Sequence, residues 1–308
     1  MKLLYTAACM LLFFYTNAQT IYDGLMMPKG DLCTGFLFTH DRWSSYWEGT
    51  LKRKNENIGT LSTTSVTWLG NYGLSDRLNL MVFLPFVATK ADQGVMAGES
   101  GLQDVTLVLK YRLFGQQWGK GQLRGFVVGG GSVPVSDYTP DNLPFSIGLQ
   151  ANRIWGRGTL NYSFDNGWYV NGTTAYTWRS NVTLDRPAYY TDGQLVLSNE
   201  VWMPNVMDFS FAAGRIKNGL EVFVNYTQQN TLGGGDIRRQ DMPFVSNRMN
   251  FSRLDLTGMY YLPAVPNLAV RAQVGYTLHG RNVGQSLYAM AGVLYTFHFS
   301  KHENAQQP

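Results

Sequence analysis

Apolar and polar residues alternate with a period of two along most of the chain after position 31, the pattern of β-strands with one greasy and one wet face. The clearest run spans 102–113. Val105, Leu107, Leu109, Tyr111 and Leu113 share one face there, and Asp104, Thr106, Val108, Lys110 and Arg112 share the other. Leu78 to Phe86, Leu220 to Tyr226 and Leu268 to Leu278 repeat the split. Helical periodicity is nearly absent. The pattern predicts about twelve strands, over 31–40, 58–68, 76–88, 102–113, 121–133, 145–155, 167–179, 205–216, 219–229, 250–262, 267–279 and 285–299. Most are about ten residues or longer, whereas soluble strands average about five or six and a tilted membrane-crossing strand needs about nine to eleven.

The connections supply a check independent of the strands. Short links at 71–75, 114–120, 156–166, 217–218 and 263–266 alternate with longer ones at 41–57, 89–101, 134–144, 180–204 and 230–249. That is the rhythm of an outer-membrane barrel with both ends in the periplasm, short turns there and longer loops outside. Two links fit less well, because 156–166 is long and the last outer loop, 280–284, is short. The fold class read from the sequence is therefore all-β, a transmembrane antiparallel β-barrel of about twelve strands.

Composition agrees. Charged residues make up 15% of the chain, below the usual ~25%, aromatics reach 14%, and glycines number 33. Trp43, Trp47, Trp68, Trp118, Trp155, Trp168 and Trp178 fall near expected strand ends, where aromatic girdles sit at the membrane interfaces. Outside the first residues no apolar stretch reaches the ~18 residues of a membrane helix. Lys2, the run from Leu3 to Tyr15 and the small residues before Gln19 read as a secretory signal. The expected organisation is a signal at 1–18, a short periplasmic segment at 19–30, a barrel at 31–299 and a tail at 300–308. After cleavage Cys33 stands alone, so no internal disulfide can form.

The net charge of +4 is scattered rather than massed, which argues against nucleic-acid binding. Four histidines without paired spacing, His298 and His302 among them, make no metal site, and Gly233-Gly234-Gly235-Asp236 reads as a flexible outer loop. No cofactor is expected. An enzyme would need a nucleophile and a base within hydrogen-bond reach; His279, expected to face inward, has no such neighbour in the sequence.

The candidate site is the inward polar set: Arg77, Asp104, Lys110, Arg112, Gln150, Asn152, Arg179, Asp208, Glu221, Asn225, Arg253, Asp255, Arg271 and Gln273. These residues either pair across the interior and brace the barrel, or line a water-filled path that filters solutes by size and charge. Six cations against four anions predict a weak preference for anions. Phe83, Phe223, Met259, Tyr261 and Tyr288 are expected to add apolar patches to the same wall.

The segment Tyr72-Gly73-Leu74-Ser75-Asp76-Arg77-Leu78 with Leu84-Pro85-Phe86, followed by Gly101-Leu102-Gln103-Asp104 and Lys110-Tyr111-Arg112-Leu113, resembles a family of phenol-degradation meta-pathway barrels. These are distant relatives of FadL-type channels for hydrophobic compounds. Gly73 is expected to permit a tight periplasmic turn, and the strand from Leu287 to Phe299 looks like the closing strand that barrel-assembly machinery recognises. FadL-type channels hold an N-terminal plug. Residues 19–30 are expected to be too few for a comparable one. The resemblance implies a passive channel for small, hydrophobic or aromatic solutes, with outer-membrane lipid and lipopolysaccharide as surroundings. A closed structural or adhesive barrel binding a partner through its outer loops is the alternative, and an outer-membrane lipid hydrolase the third reading.

Overall fold

In a computed structural model, described over residues 20–21, 23–238 and 241–299, the chain forms a closed barrel of twelve antiparallel strands. They are β1 (Asp31–Trp43), β2 (Leu61–Ser75), β3 (Leu78–Ala91), β4 (Asp104–Gln117), β5 (Gly121–Pro134), β6 (Arg153–Phe164), β7 (Trp168–Arg179), β8 (Val206–Lys217), β9 (Leu220–Thr231), β10 (Asn250–Tyr261), β11 (Leu268–Arg281) and β12 (Leu287–His298). Each pairs with its neighbours in sequence, and β1 closes the ring against β12 from Asp31↔His298 to Arg42↔Leu287. Closure leaves no sheet edge, so every strand has partners for its backbone groups on both sides, as a bilayer demands. Among the described residues no helix is long and apolar enough to cross a membrane.

The alternation does what it predicts. Phe36, Leu107, Leu160 and Phe211 on the outer face are more than half exposed, while Met81, Val108, Lys110 and Val128 on the inner face are almost fully buried. The polar interior and apolar exterior invert a soluble protein and suit a hydrocarbon surround. Short turns at 76–77, 118–120, 165–167, 218–219 and 262–267 share one end with residues 31 and 298. The 218–219 turn is Asn-Gly with both φ positive (+53° and +75°), the pair that matches strand twist in a tight hairpin. Long loops at 44–60, 92–103, 135–152, 180–205 and 232–249 share the other end with the short 282–286 link.

Several expectations shift. The segment 145–152 is loop, and 156–164, expected to be a link, belongs to β6. Likewise 71–75 belongs to β2, and most of 114–120 to β4. The first error has a physical cause. Phe145, Ile147 and Ala151 do alternate with polar residues and are buried, but against the barrel's inside and against other loops rather than lipid. In β6 the outward positions include Gly156 and Gly158, which carry no hydrophobic signal.

Of the tryptophans, Trp68, Trp118, Trp168 and Trp178 are exposed on the outer wall or its turns. Trp43 and Trp155 instead pack inside the barrel, and Trp47 is buried among the outer loops. Gly73 lies within β2, and its missing side chain admits the backbone of Pro28, whose carbonyl an added Cβ would strike.

Residues 20–30 enter the barrel from the end of the short turns. Met27 is 1% exposed and packs with Cys33, Leu69, Met259, Ala269 and Leu294, while Ile21 packs against Met81, Val108 and Val128. A segment expected to hang in the periplasm fills that half of the lumen. The proposed signal and the tail lie outside the described residues.

Candidate functional site: a lumen held between a plug and a cap

The plug is fastened by polar contacts. Lys110, on β4 and fully buried, donates from Nζ to Thr20 O (2.8 Å), Asp23 O (2.9 Å) and Asp23 Oδ1 (2.7 Å). An ammonium has three N–H donors, so the set is complete. Such a charge survives in a dry interior only when paired and hydrogen-bonded. Its ammonium also lies 5.3 Å from the Phe126 ring centre. Arg124 on β5 donates to Gly24 O (3.4 Å), and Gly24 sits so close to Asn161 that an added Cβ would collide.

The opposite mouth is covered by loops. Loop 135–152 folds inward: Phe145 packs with Ile58, Leu61 and Trp43, and Ile147 with Val87 and Tyr138. Thr89 donates its hydroxyl to Phe145 O, and Gln103 its amide to Ile147 O. Tyr138 donates to Asp104 Oδ1 (2.6 Å), whose Oδ2 takes Arg153 at 2.7 Å. Burial and the Asp104 carboxylate hold the Tyr138 phenol well above its ordinary pKa. Loops 180–205 and 232–249 add an apolar cluster above, built on Val182, Leu184, Tyr189, Val201, Met203 and Val245 with Ala151. Asn282 anchors the far side, accepting from Gly49 N–H (2.8 Å) and Ile237 N–H (3.0 Å) and donating to Asp236 (2.7 Å) and Arg248 O (2.8 Å).

Between plug and cap lies a cavity of about 210 Å³. Drug-sized pockets run to roughly 300–1,000 Å³, so this one suits a single small molecule. Of the sequence-predicted set, Asp208, Asn225, Arg253, Asp255, Arg271 and Gln273 line it. Asp104, Lys110, Arg179 and Glu221 also face inward but serve contacts. Asp104 grips Arg153 and Tyr138, Lys110 holds the plug, Glu221 accepts from Tyr169 (2.6 Å), and Arg179 sits buried at the loop end near Asp208. Arg112 reaches the turn at Asp76 O (3.2 Å).

Three expectations fail. Arg77 is exposed in the 76–77 turn, and Gln150 and Asn152 belong to loop 135–152, because β6 starts at Arg153. His279 does not face in either. A bulge at Ser252/Arg253 shifts the parity, so it pairs with Ser252 and is exposed. No hydrogen bond joins that serine and histidine. The inward aromatics and Met259 lie where the alternation places them, and Phe223 lines the cavity.

Sequence reading missed Asp23, Arg157, Tyr169 and Asn171, all on the cavity wall. Tyr169 and Asn171 share the parity of Arg179 on β7 and were legible from the alternation, whereas Arg157 became so only once β6 was placed. Asp23 precedes the first strand and carried no periodic signal.

A closed twelve-stranded barrel with an apolar belt, a polar lumen and all its long loops at one end is a transmembrane barrel of the outer-membrane class. The chain belongs to the family described as "Putative MetA-pathway of phenol degradation", whose model matches residues 55–290. Its fold is similar to the crystal structure of an outer-membrane channel from Pseudomonas putida F1, at 15% identity over 92% of this chain and 100% of that one, with a TM-score of 0.72. More distant are the translocator domain of the autotransporter NalP from Neisseria meningitidis (12% identity, 85% of this chain and 88% of that one, TM-score 0.46) and the CymD monoaromatic hydrocarbon channel (12%, 90% and 90%, TM-score 0.40). A search of curated sequences finds no match.

Proposed function

We propose that the protein is a passive outer-membrane channel for small hydrophobic or aromatic solutes, and that the N-terminal segment is its periplasmic plug. The observation that carries this reading is the cavity itself, a partly aromatic chamber walled by Tyr169, Phe223 and Phe251 and lying between two closures of different construction. A barrel braced only for stability would fill that space with side chains. The polar groups among the rings keep the chamber hydrated enough for a solute to enter and leave. The lumen residues act by size and charge, without a cofactor.

The outward apolar band would meet lipid and lipopolysaccharide, and the aromatic face of β12, with Tyr295 and Phe297, would be read by the assembly machinery. Single-channel recording in planar bilayers tests the central claim. Discrete conductance steps, altered by small aromatic solutes, are expected; a folded barrel that stays silent after the plug is removed would sink it. The packed loop cap favours the second reading, a closed barrel whose loops bind a partner, and that same silence would select it.

A further inference from the structure

The cavity wall is chemically uneven, and one side carries a cation with no direct ion pair. Two of its carboxylates are paired directly, Asp23 with Lys110 at 2.7 Å and Asp255 with Arg253 at 3.0 Å, while Asp208 makes no ion pair among the described residues and faces the charges of Arg157 and Arg179. Arg271 on β11 is different. Among the described residues it forms no ion pair or hydrogen bond, and its Nε is buried without a partner. Glu221, two strands away across Met259, acts on it through space but spends its hydrogen bond on Tyr169 and makes no direct contact with Arg271.

The neighbours of Arg271 point the same way. Phe223, Thr257 and Gln273 stand directly opposite one another on β9, β10 and β11, so their side chains form one row across the inner wall. Arg271 lies two residues from Gln273 on the same face. Thr257 is 1% exposed, lines the cavity, and its hydroxyl has no hydrogen-bond partner. Buried hydroxyls and guanidinium N–H groups left without acceptors are costly. What this row lacks is an acceptor carrying negative charge. Immediately beside it Phe223 offers an aromatic surface.

We propose that this wall binds a small carboxylate with an apolar, single-ring body: the carboxylate on Arg271 with Thr257 and Gln273, the ring against Phe223. The inference rests on the channel reading above and narrows its solute class from neutral hydrophobes to amphiphilic anions. A guanidinium is suited to this role because its planar fork matches a carboxylate and stays charged at any working pH. Neutral aromatics would use the ring contact alone.

The test uses the full mature protein in detergent, titrated calorimetrically with benzoate and with benzyl alcohol, a neutral molecule of similar size. Benzoate is expected to bind more tightly, and Arg271→Gln to weaken benzoate about tenfold or more, the worth of a charge-assisted contact, while leaving benzyl alcohol unchanged. Thr257→Val, a gentler change, should weaken benzoate severalfold. Heat-modifiable mobility in gels confirms that each variant is folded. Equal affinity for the two probes, or unchanged benzoate affinity in both variants, overturns the carboxylate assignment and leaves the channel standing. Silent bilayers would remove transport whatever the titration gives, and the titration alone decides the carboxylate.

Discussion

The two ends of the lumen are closed by opposite means. At the periplasmic end the segment before β1, described at 20–21 and 23–30, is held by polar contacts centred on Lys110, with Met27 and Ile21 as apolar anchors. At the outer end, loops of up to 26 residues (180–205) assemble a small hydrophobic core of their own above an inward-folded loop. The first closure gathers its polar contacts on one buried ammonium. The second is spread over many apolar contacts and resists single changes. A plug latched around one polar centre beneath a cap of distributed apolar contacts suits a barrel whose periplasmic exit yields more readily than its outer mouth.

Removing residues 20–30 altogether should have the largest effect. The barrel would still fold, since its strands begin at Asp31, and conductance in planar bilayers should rise above that of the intact protein, up to what the capping loops let through. A deletion no more conductive than the intact protein would break the contrast at its root. Lys110→Met comes next. It leaves the Asp23 carboxylate buried without its cation, a loss of about 3–5 kcal/mol for a broken buried pair, and should release the segment to thiol labelling at an introduced Leu25→Cys, in a Cys33→Ala background. Labelling as slow as in the Lys110 protein would show that the apolar anchors alone suffice.

At the cap, Phe145→Ala removes a fully buried ring at a local cost of about 3 kcal/mol, the low end for such truncations because a loop can collapse around the gap. Limited proteolysis should then cut within 135–152 while the barrel keeps its heat-modifiable mobility. The plug should remain unlabelled, and a plug released by this change would mean the two closures are coupled.

The smallest effect belongs to Asp236. Hydrogen bonds from Arg281 (2.6 and 2.8 Å), with help from Asn282, hold its carboxyl below the ordinary carboxylate range. A depressed pKa adds stability at pH values above the unfolded pKa of about 3.9, and this is lost only as pH falls through the lower folded value. Both groups are about a third exposed, so Asp236→Asn should cost less than about 1 kcal/mol. Protease resistance of loop 232–249 should accordingly hold at pH 4 and fall only in stronger acid; a loss between pH 6 and 5 would assign the anchor to another group.

How much of this was legible beforehand varies with the range of the interaction. Which way Asp208, Glu221, Asn225, Asp255, Arg271 and Gln273 point follows from parity within one strand, and parity is local. Gln150 and Asn152 were misplaced because alternation reports that one side of an extended segment is buried without saying against what. The bulge at Ser252/Arg253 defeated the same rule for His279, since one extra residue inverts the faces beyond it.

The sequence by itself determined that the chain would form long two-faced strands, how many, and which end would carry the long loops, because each strand's sidedness is written in consecutive residues and each link's length is explicit. Only the tertiary structure decided that residues 20–30 turn into the lumen and that Lys110, 87 positions from Asp23, holds them there. It also decided which lumen charges pair directly and, among the described residues, left Arg271 without a direct ion pair. Those outcomes depend on the width of the closed ring and on which walls face each other across it, and no local pattern records either.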